Sequence, residues 1–200
     1  MKYEKIHNKG QAQLFNSRYL EIFTKSHPLV IWGMYLPVIV GFTYYSYSRL
    51  SFSALSVFLL FMGGMLFWSF FEYMMHRYFF HLTGEGKRMK RFLYVMHGNH
   101  HEYPRDKHRL FMPPLPSLLL AAVLFFAIYA LMHSNTFAFF PGFALGYIMY
   151  GTMHYAIHAW NPPFQWMKPL WRNHHLHHYK QEEKGFGVSS TLWDYVFGTQ

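Results

Sequence analysis

Histidine is the residue type whose pattern in this sequence points to chemistry. The chain has 15 histidines among 200 residues and no cysteine. Ten of the histidines fall into four tight groups, within the segments HRYFFH, HGNHH, HYAIH and HHLHH. Their members are His76 and His81; His97, His100 and His101; His154 and His158; and His174, His177 and His178. Because neutral imidazole is a ligand of iron, zinc, copper and nickel, the groups predict a metal site.

The spacing within the groups suits coordination from helices. Residues three or four positions apart lie on one face of an α-helix, so His97 can share a face with His100 or His101. The HYAIH and HHLHH groups have the same spacing. His76 and His81 lie about 140° apart on an ideal helix and need a helix end or a distortion to converge. Adjacent histidines point in different directions, which favours two metal ions over one.

The other polar residues near the groups have less specific roles. Isolated histidines are expected to be structural hydrogen-bonding residues: His7, His27, His108 and His133. Carboxylates that accept from the second ring N–H orient metal-binding histidines, and Glu72, one helical turn before His76, is placed to do so. The further candidates are Glu102, Asp106 and Asp194. For Glu102 and Asp106 a loop salt bridge is the favoured interpretation.

Four apolar stretches supply the elements that must position the histidines. They run over about 29–47, 52–75, 115–132 and 137–156. Each is close to the ~20 residues that cross the hydrocarbon core of a bilayer. The stretches predict an all-α integral membrane protein with four transmembrane helices. Residues 1–27 are polar and basic without a cleavable signal peptide, and fit either an interfacial helix or a solvated tail.

Positive charge predicts how the helices are oriented. The segment through Lys25 carries five Lys and Arg, the loop between the second and third stretches carries eight, and the C-terminal segment adds four. The two short loops on the other side hold only Arg49. The positive-inside rule therefore predicts that both termini and the central loop are cytoplasmic. All four histidine groups then emerge on one membrane face, in a cytoplasmic helical cap. The net charge of +9 is interpreted in the same way, and no nucleic-acid partner is expected.

Composition and motif context exclude several classes. Without cysteine the chain has no disulfide, Cys-ligated iron–sulfur cluster, thiolate haem or Cys-type zinc site. The GEGKR segment at 84–88 lacks the context of a dinucleotide fingerprint, so electrons for redox chemistry must come from a separate partner. A metal transporter should place its ligands near the bilayer midplane, and a zinc hydrolase usually needs three protein ligands. The four groups fit neither pattern well, so a metal transporter and a membrane zinc hydrolase remain as the less favoured alternatives.

At these motifs the chain resembles the fatty acid hydroxylase/sterol desaturase superfamily, and within it the fatty acid 2-hydroxylases. The similarity extends through HGNHHEYPRDKHRLFMPP and GFGVSSTLWDYVFGT, from about residue 68 to the C-terminus. It implies a four-helix membrane bundle with a cytoplasmic cap and two iron ions, which zinc can replace in purified protein. The implied ligands are His76, His81, His97, His101 and His177 for one metal, and His100, His154, His158, His174 and His178 for the other. His175 makes the register of HHLHH ambiguous, and HxxHH is taken as the ligand pattern.

The resemblance also implies an activity and partners. The expected reaction is O₂-dependent hydroxylation of a lipid acyl chain at C2, in a fatty acid or a sphingolipid-type amide. A carotenoid, a sterol or another lipid is the alternative substrate, and the GFGVSS…WDYVFGT segment favours the acyl chain. The electron donor would be of the cytochrome b5, ferredoxin or rubredoxin type. Residues 1–200 are expected to form one domain, without the cytochrome b5-like domain of many eukaryotic relatives. Basic residues that could meet a lipid head group, although mostly expected to be solvated, are Arg105, Lys107, Arg109 and Lys180.

Overall fold

The computed structural model describes residues 6–200, and every regular element in that range is a helix. Residues 1–5 of the predicted N-terminal segment lie outside the described residues. The α-helices are α1 (Arg18–Ile22), α2 (Pro28–Ser48), α3 (Ala54–Met74), α4 (Lys87–Leu93), α5 (Asn99–Glu102), α6 (Pro114–Met132), α7 (Thr136–Ala159), α8 (Lys168–Tyr179) and α9 (Leu192–Phe197). Shorter pieces join them: π-helical turns at Met75–Phe80 and Tyr94–Gly98, and 3₁₀ turns at His133–Asn135 and Gln165–Met167.

Among residues 6–200, three helical stretches are long and apolar enough to cross a membrane, as in a multi-pass membrane protein. They are Pro28–Ser48, Ala54–Phe80 and Pro114–Ala159. The first contains the stretch predicted at 29–47, and the second covers residues 54–75 of the stretch predicted at 52–75. The third is 46 residues long and contains both remaining predicted stretches, which the short turn at His133–Asn135 separates.

The third stretch folds back on itself as a hairpin of α6 and α7. His133, at the turn, has a φ of 49°, which lies in the left-handed region. The ring of Phe125 on α6 lies 5.3 Å from that of Phe140 on α7. Nearer the other end of both helices, the Ser117 hydroxyl donates to the Tyr147 hydroxyl at 3.1 Å. The two helices are therefore antiparallel.

Helix α7 lies at the centre of the bundle and packs closely against α3. A Cβ atom on Gly142 would lie 1.8 Å from the carbonyl oxygen of Phe61, and one on Gly64 would lie 2.1 Å from that of Phe139. Small residues at such crossings let helix backbones approach each other in membranes. On its other side α7 contacts α2, where Trp32 donates to the Thr152 hydroxyl at 2.9 Å.

Local signals in the sequence start the first two long helices. The ring of His27 accepts a hydrogen bond from the backbone N–H of Leu29, and Pro28 occupies the first turn of α2. Proline suits that turn because its missing N–H would have no intrahelical partner. The Ser53 hydroxyl accepts from the N–H of Ser56 and caps α3.

The N-terminal segment combines a short helix with irregular chain. Between residues 6 and 27, only Arg18–Ile22 is helical. Ala12 and Leu14 are buried, whereas Tyr19 and Phe23 are strongly exposed. Residues 6–27 therefore pack on the protein in part and carry an exposed apolar face.

Candidate metal centre

The ten grouped histidines converge into two adjacent clusters, each with five ring nitrogens that all lie within 4.8 Å of one another. Cluster 1 consists of His76, His81, His97, His101 and His177. Cluster 2 consists of His100, His154, His158, His174 and His178. These are the same two sets that the family resemblance implied. All of these side chains are buried except that of His81, which is partly buried.

A π-helical turn brings the side chains of His76 and His81 together, although they are five positions apart. Helix α3 continues from Met74 into the turn Met75–Phe80, and His81 follows directly. A π turn closes hydrogen bonds between residues five apart, so this spacing falls on one face instead of opposite sides. The two rings lie 5.2 Å apart between centroids. A second π turn, Tyr94–Gly98, carries His97.

The ring nitrogens lie as close together as ligands of a single ion. In cluster 1 the Nε2 atoms of His81 and His177 are 3.1 Å apart. In cluster 2 the Nε2 atoms of His100 and His154 are 2.8 Å apart. Ligands about 2.1 Å from one ion and at right angles to each other are separated by roughly 3 Å. The donor set and its spacing therefore fit a metal ion in each cluster.

Backbone carbonyls hold three of the rings by their other nitrogen. The Nδ1 atom of His76 lies 2.6 Å from the carbonyl oxygen of Phe186, and that of His177 lies 2.7 Å from the carbonyl oxygen of Lys184. The Nδ1 atom of His154 lies 3.3 Å from the carbonyl oxygen of Leu110. Because a carbonyl only accepts, Nδ1 carries the proton and Nε2 presents its lone pair to the cluster.

Two buried carboxylates bind the loop that supplies the Phe186 carbonyl. Asp194 accepts from the N–H groups of Phe186 and Gly187, at 2.9 and 2.8 Å. Glu72 accepts from the N–H groups of Val188 and Ser189, at 2.8 and 2.9 Å. Glu72 therefore orients His76 through residues 186–189 and not through its ring. The sequence identified both carboxylates, but it could not show that a loop connects them to the rings.

The remaining candidates lie outside the two clusters. His175 is partly buried, and its ring lies 6.3 Å from that of His158, beside cluster 2. Asp106 pairs with Arg109, and Glu102 lies 4.0 Å from the ring nitrogen of His7. The four basic residues that could meet a lipid head group differ in exposure. Arg105, Lys107 and Lys180 are exposed, whereas the side chain of Arg109 is only 4% exposed and is paired.

Burial keeps the histidines outside the apolar stretches neutral. Desolvation, followed by the proximity of His76, lowers the pKa of His81 to about 3. Desolvation and the proximity of His81 likewise lower the pKa of His177 to about 3. Burial also lowers the pKa well below its ordinary value in His97, His100, His101, His174 and His178. Neutral imidazoles are the form that binds metal.

A cavity of about 690 Å³ leads to both clusters. It borders His97 of cluster 1, and His100 and His154 of cluster 2. Its other walls are largely apolar side chains from the long helices, among them Trp68, Phe71, Leu124, Phe140 and Phe143. A long apolar molecule in this cavity would lie next to the ring nitrogens of both clusters.

This all-helical fold with paired histidine clusters fits a metal-binding membrane protein, and comparison with known proteins gives its family. The chain belongs to the fatty acid hydroxylase family, whose sequence profile matches residues 61–199. The membership predicted from the histidine motifs is therefore confirmed. The match to a hydroxylase family also favours an enzyme over the metal transporter that the sequence left as an alternative.

Individual relatives cover nearly the whole chain. The dihydroceramide fatty acyl 2-hydroxylase FAH1 of Arabidopsis thaliana is 34% identical, over 98% of this chain and 83% of that protein. The fatty acid 2-hydroxylase of Mus musculus is 33% identical, over 94% of this chain and 56% of its own length. The ceramide very long chain fatty acid hydroxylase SCS7 of Saccharomyces cerevisiae is 36% identical, over 96% of this chain and 50% of that protein.

A solved structure has the same fold. It is that of full-length scs7p, in which only the hydroxylase domain is visible. The two structures superpose with a TM-score of 0.88 and 35% sequence identity. The match covers 96% of this chain and 72% of the other.

Proposed function

We propose that this protein is a di-iron lipid hydroxylase that uses O₂ to place a hydroxyl group at C2 of an acyl chain. The substrate would be a fatty acid or the acyl group of a sphingolipid-type amide, in keeping with the names of the Arabidopsis and yeast relatives. The observation that carries the proposal is the apolar cavity that borders both five-histidine clusters.

Each cluster would hold one iron ion through its five ring nitrogens. Bound iron would supply the activation of O₂ and the oxidation of a C–H bond. Zinc, which also binds imidazole, can occupy the same donor sets in purified protein. The protein's own contribution is to keep the imidazoles neutral and oriented. Burial provides the first, and the carbonyls of Phe186, Lys184 and Leu110 provide the second.

The cavity would select and position the acyl chain. Each methylene that leaves water for an apolar wall contributes about 0.8 kcal/mol, so a long chain is held strongly without any charged contact. The histidines that border the cavity then lie beside one part of that chain. The same walls exclude water from the reacting carbon.

We also propose four transmembrane helices, formed by α2, α3, α6 and α7, in one domain over residues 1–200. The hairpin of α6 and α7 supports two crossings within the third apolar stretch. The basic loops support cytoplasmic termini and a cytoplasmic histidine-bearing cap. Electrons would reach the site from a separate protein of the cytochrome b5, ferredoxin or rubredoxin type.

The decisive experiment is expression in a host that lacks 2-hydroxy lipids, together with an electron donor, under ¹⁸O₂. Mass spectrometry of the lipids should find one labelled oxygen at C2 of an acyl chain. A labelled hydroxyl elsewhere would contradict the C2 assignment alone, and its absence from every lipid would contradict the hydroxylase proposal. His100→Ala should abolish the label, whereas His108→Ala, at an exposed histidine outside both clusters, should retain it.

A further inference from the structure

The cavity beside the histidines reaches the outer surface along one rim. Its lining includes five side chains that are also exposed: Phe15 (38%), Leu20 (53%), Phe23 (73%), Phe92 (47%) and Leu120 (40%). A side chain that lines a cavity and also reaches the outside marks its mouth. The rim therefore runs between the N-terminal segment, α4 and α6.

The rim lies at the membrane side of the protein. Leu120 belongs to α6, part of an apolar stretch long enough to cross a bilayer. Helix α1 ends at Ile22, shortly before α2 begins another such stretch at Pro28. The neighbouring side chains Tyr19 and Ile22 are exposed as well, so the apolar surface of the rim continues into that of the membrane-spanning helices. Lipid is the environment that covers such a surface.

Residues 12–24, termed the strap, form one side of this rim and are held by a buried ionic clasp. Arg109 pairs with Glu21 of the strap and with Asp106. The Arg109 side chain is 4% exposed, that of Glu21 17% and that of Asp106 2%. Arg109 also donates to the hydroxyl of Thr24, and Asp106 accepts from the N–H of Ala12. Both ends of the strap thus meet at one guanidinium and its carboxylate partners.

The Glu21 carboxylate also shapes the strap itself. It accepts from the N–H groups of Leu14 and Phe15, at 3.0 and 2.8 Å. Across the rim, Arg91 donates to the carbonyl oxygen of Leu14 and lies 5.8 Å from the ring centroid of Phe15. The strap is therefore tied to α4 on one side and to Arg109 on the other.

We propose that this rim is a lateral portal, through which a lipid in the bilayer passes its acyl chain to the histidine clusters, and that the Arg109 clasp holds the strap across it. A lateral route spares the acyl chain from crossing water. Glu21→Gln would leave Arg109 paired with Asp106 alone and would remove the charge through which Arg109 holds the strap, so the change should free the strap. The inference rests on the proposed function, which identifies the entering molecule as a lipid acyl chain.

The test measures entry of an acyl chain without turnover. The probe is a long-chain fatty acid with a nitroxide near its methyl end, mixed rapidly with the metal-loaded full chain in lipid nanodiscs. A nitroxide in the cavity quenches the fluorescence of Trp68, which lines it. The part of the quenching that is lost in the Trp68→Phe variant reports entry of the probe into the cavity. The rate of that part measures passage through the portal.

Two changes should move that rate in opposite directions. Glu21→Gln should raise it about tenfold, whereas Glu85→Gln, at an exposed glutamate outside the strap, should not change it. The chain has no cysteine, so Phe15→Cys with Arg91→Cys introduces the only two thiols. A short bifunctional thiol reagent that joins them should slow entry about tenfold, and reductive cleavage of the link should restore the rate of the uncrosslinked double variant.

The outcomes separate the portal from the proposed function. The portal proposal would be overturned if the probe entered the wild type, Glu21→Gln and the crosslinked protein at the same rate. That result would leave the hydroxylase proposal intact. Probe that never produces Trp68-dependent quenching would contradict an acyl chain in this cavity, and with it the proposed function. Faster entry in Glu21→Gln with slower entry after crosslinking supports the portal.

Discussion

The Nδ1 atom of His76 lies 2.6 Å from the carbonyl oxygen of Phe186, a residue 110 positions later in the chain. The N–H of Phe186 in turn donates to the carboxylate of Asp194 at 2.9 Å. Asp194 is fully buried and also accepts from the N–H of Gly187 and the hydroxyl of Thr199. One carboxylate thus fixes the peptide that fixes the ring of a histidine in cluster 1.

Asp194→Asn should therefore weaken metal binding although Asp194 lies in neither cluster. The amide offers one acceptor oxygen in place of two, so one of the loop N–H groups loses its partner and the His76 ring loses its fixed acceptor. Changes to such supporting groups typically cost 10–100-fold in metal affinity. Competition with a chelator, followed by elemental analysis, measures this affinity.

Glu85→Gln serves as the control for that experiment, because Glu85 is an exposed carboxylate far along the chain from residues 186–194. Unchanged metal affinity in Asp194→Asn would show that the loop does not position His76. Equal loss in both variants would assign the effect to net charge.

Removal of one cluster 2 ligand should reduce the number of bound metal ions. His100→Ala deletes a ring whose Nε2 lies 2.8 Å from that of His154, and the other cluster retains its five nitrogens. The expected metal content after purification falls from about two ions per chain to about one. His108→Ala should keep both ions, and retention of two ions by His100→Ala would remove that residue from the ligand set.

The metal-free protein should lose stability in mild acid. The pKa of His177 is about 3 in the folded chain, against an ordinary value of 6.5. Below pH 6.5 the unfolded chain binds a proton that the folded chain does not, so stability falls as the pH drops from about 6.5 towards 3. Each such histidine contributes up to about 1.4 kcal/mol per pH unit.

Thermal unfolding of the metal-free protein in detergent, followed between pH 7 and pH 4, measures this slope. His177→Gln removes one titrating group and should give a shallower dependence. A melting temperature independent of pH over that range would contradict the burial of neutral imidazoles.

The crossing of α3 and α7 should not tolerate a single added methyl group. A Cβ on Gly64 would lie 2.1 Å from the carbonyl oxygen of Phe139, which is backbone and cannot rotate away. Gly64→Ala should destabilise the fold by about 1–3 kcal/mol, the usual cost of overpacking. Gly41→Ala on α2 is the matched control, since a Cβ there meets nothing within 4 Å. Comparison of the melting temperatures of the two variants measures the difference, and equal values would contradict the close crossing.

The sequence by itself determined the chemistry and the environment of this protein. Ligand type is a property of single residues, and hydropathy is a property of contiguous segments, so both can be read along the chain. The histidine groups and the apolar stretches followed from these local properties. The division of the ten histidines between two clusters required the family resemblance, because spacing along a helix left more than one arrangement open.

Only the tertiary structure decided how distant segments meet. His76 and His81 share a face because α3 passes into a π turn, whereas an ideal helix would separate them. Glu72 acts through a loop 116 residues away. Arg109, expected to be solvated or near a head group, is buried between Glu21 and Asp106. Each of these outcomes depends on packing between segments far apart in sequence, and neither residue type nor local spacing encodes that packing.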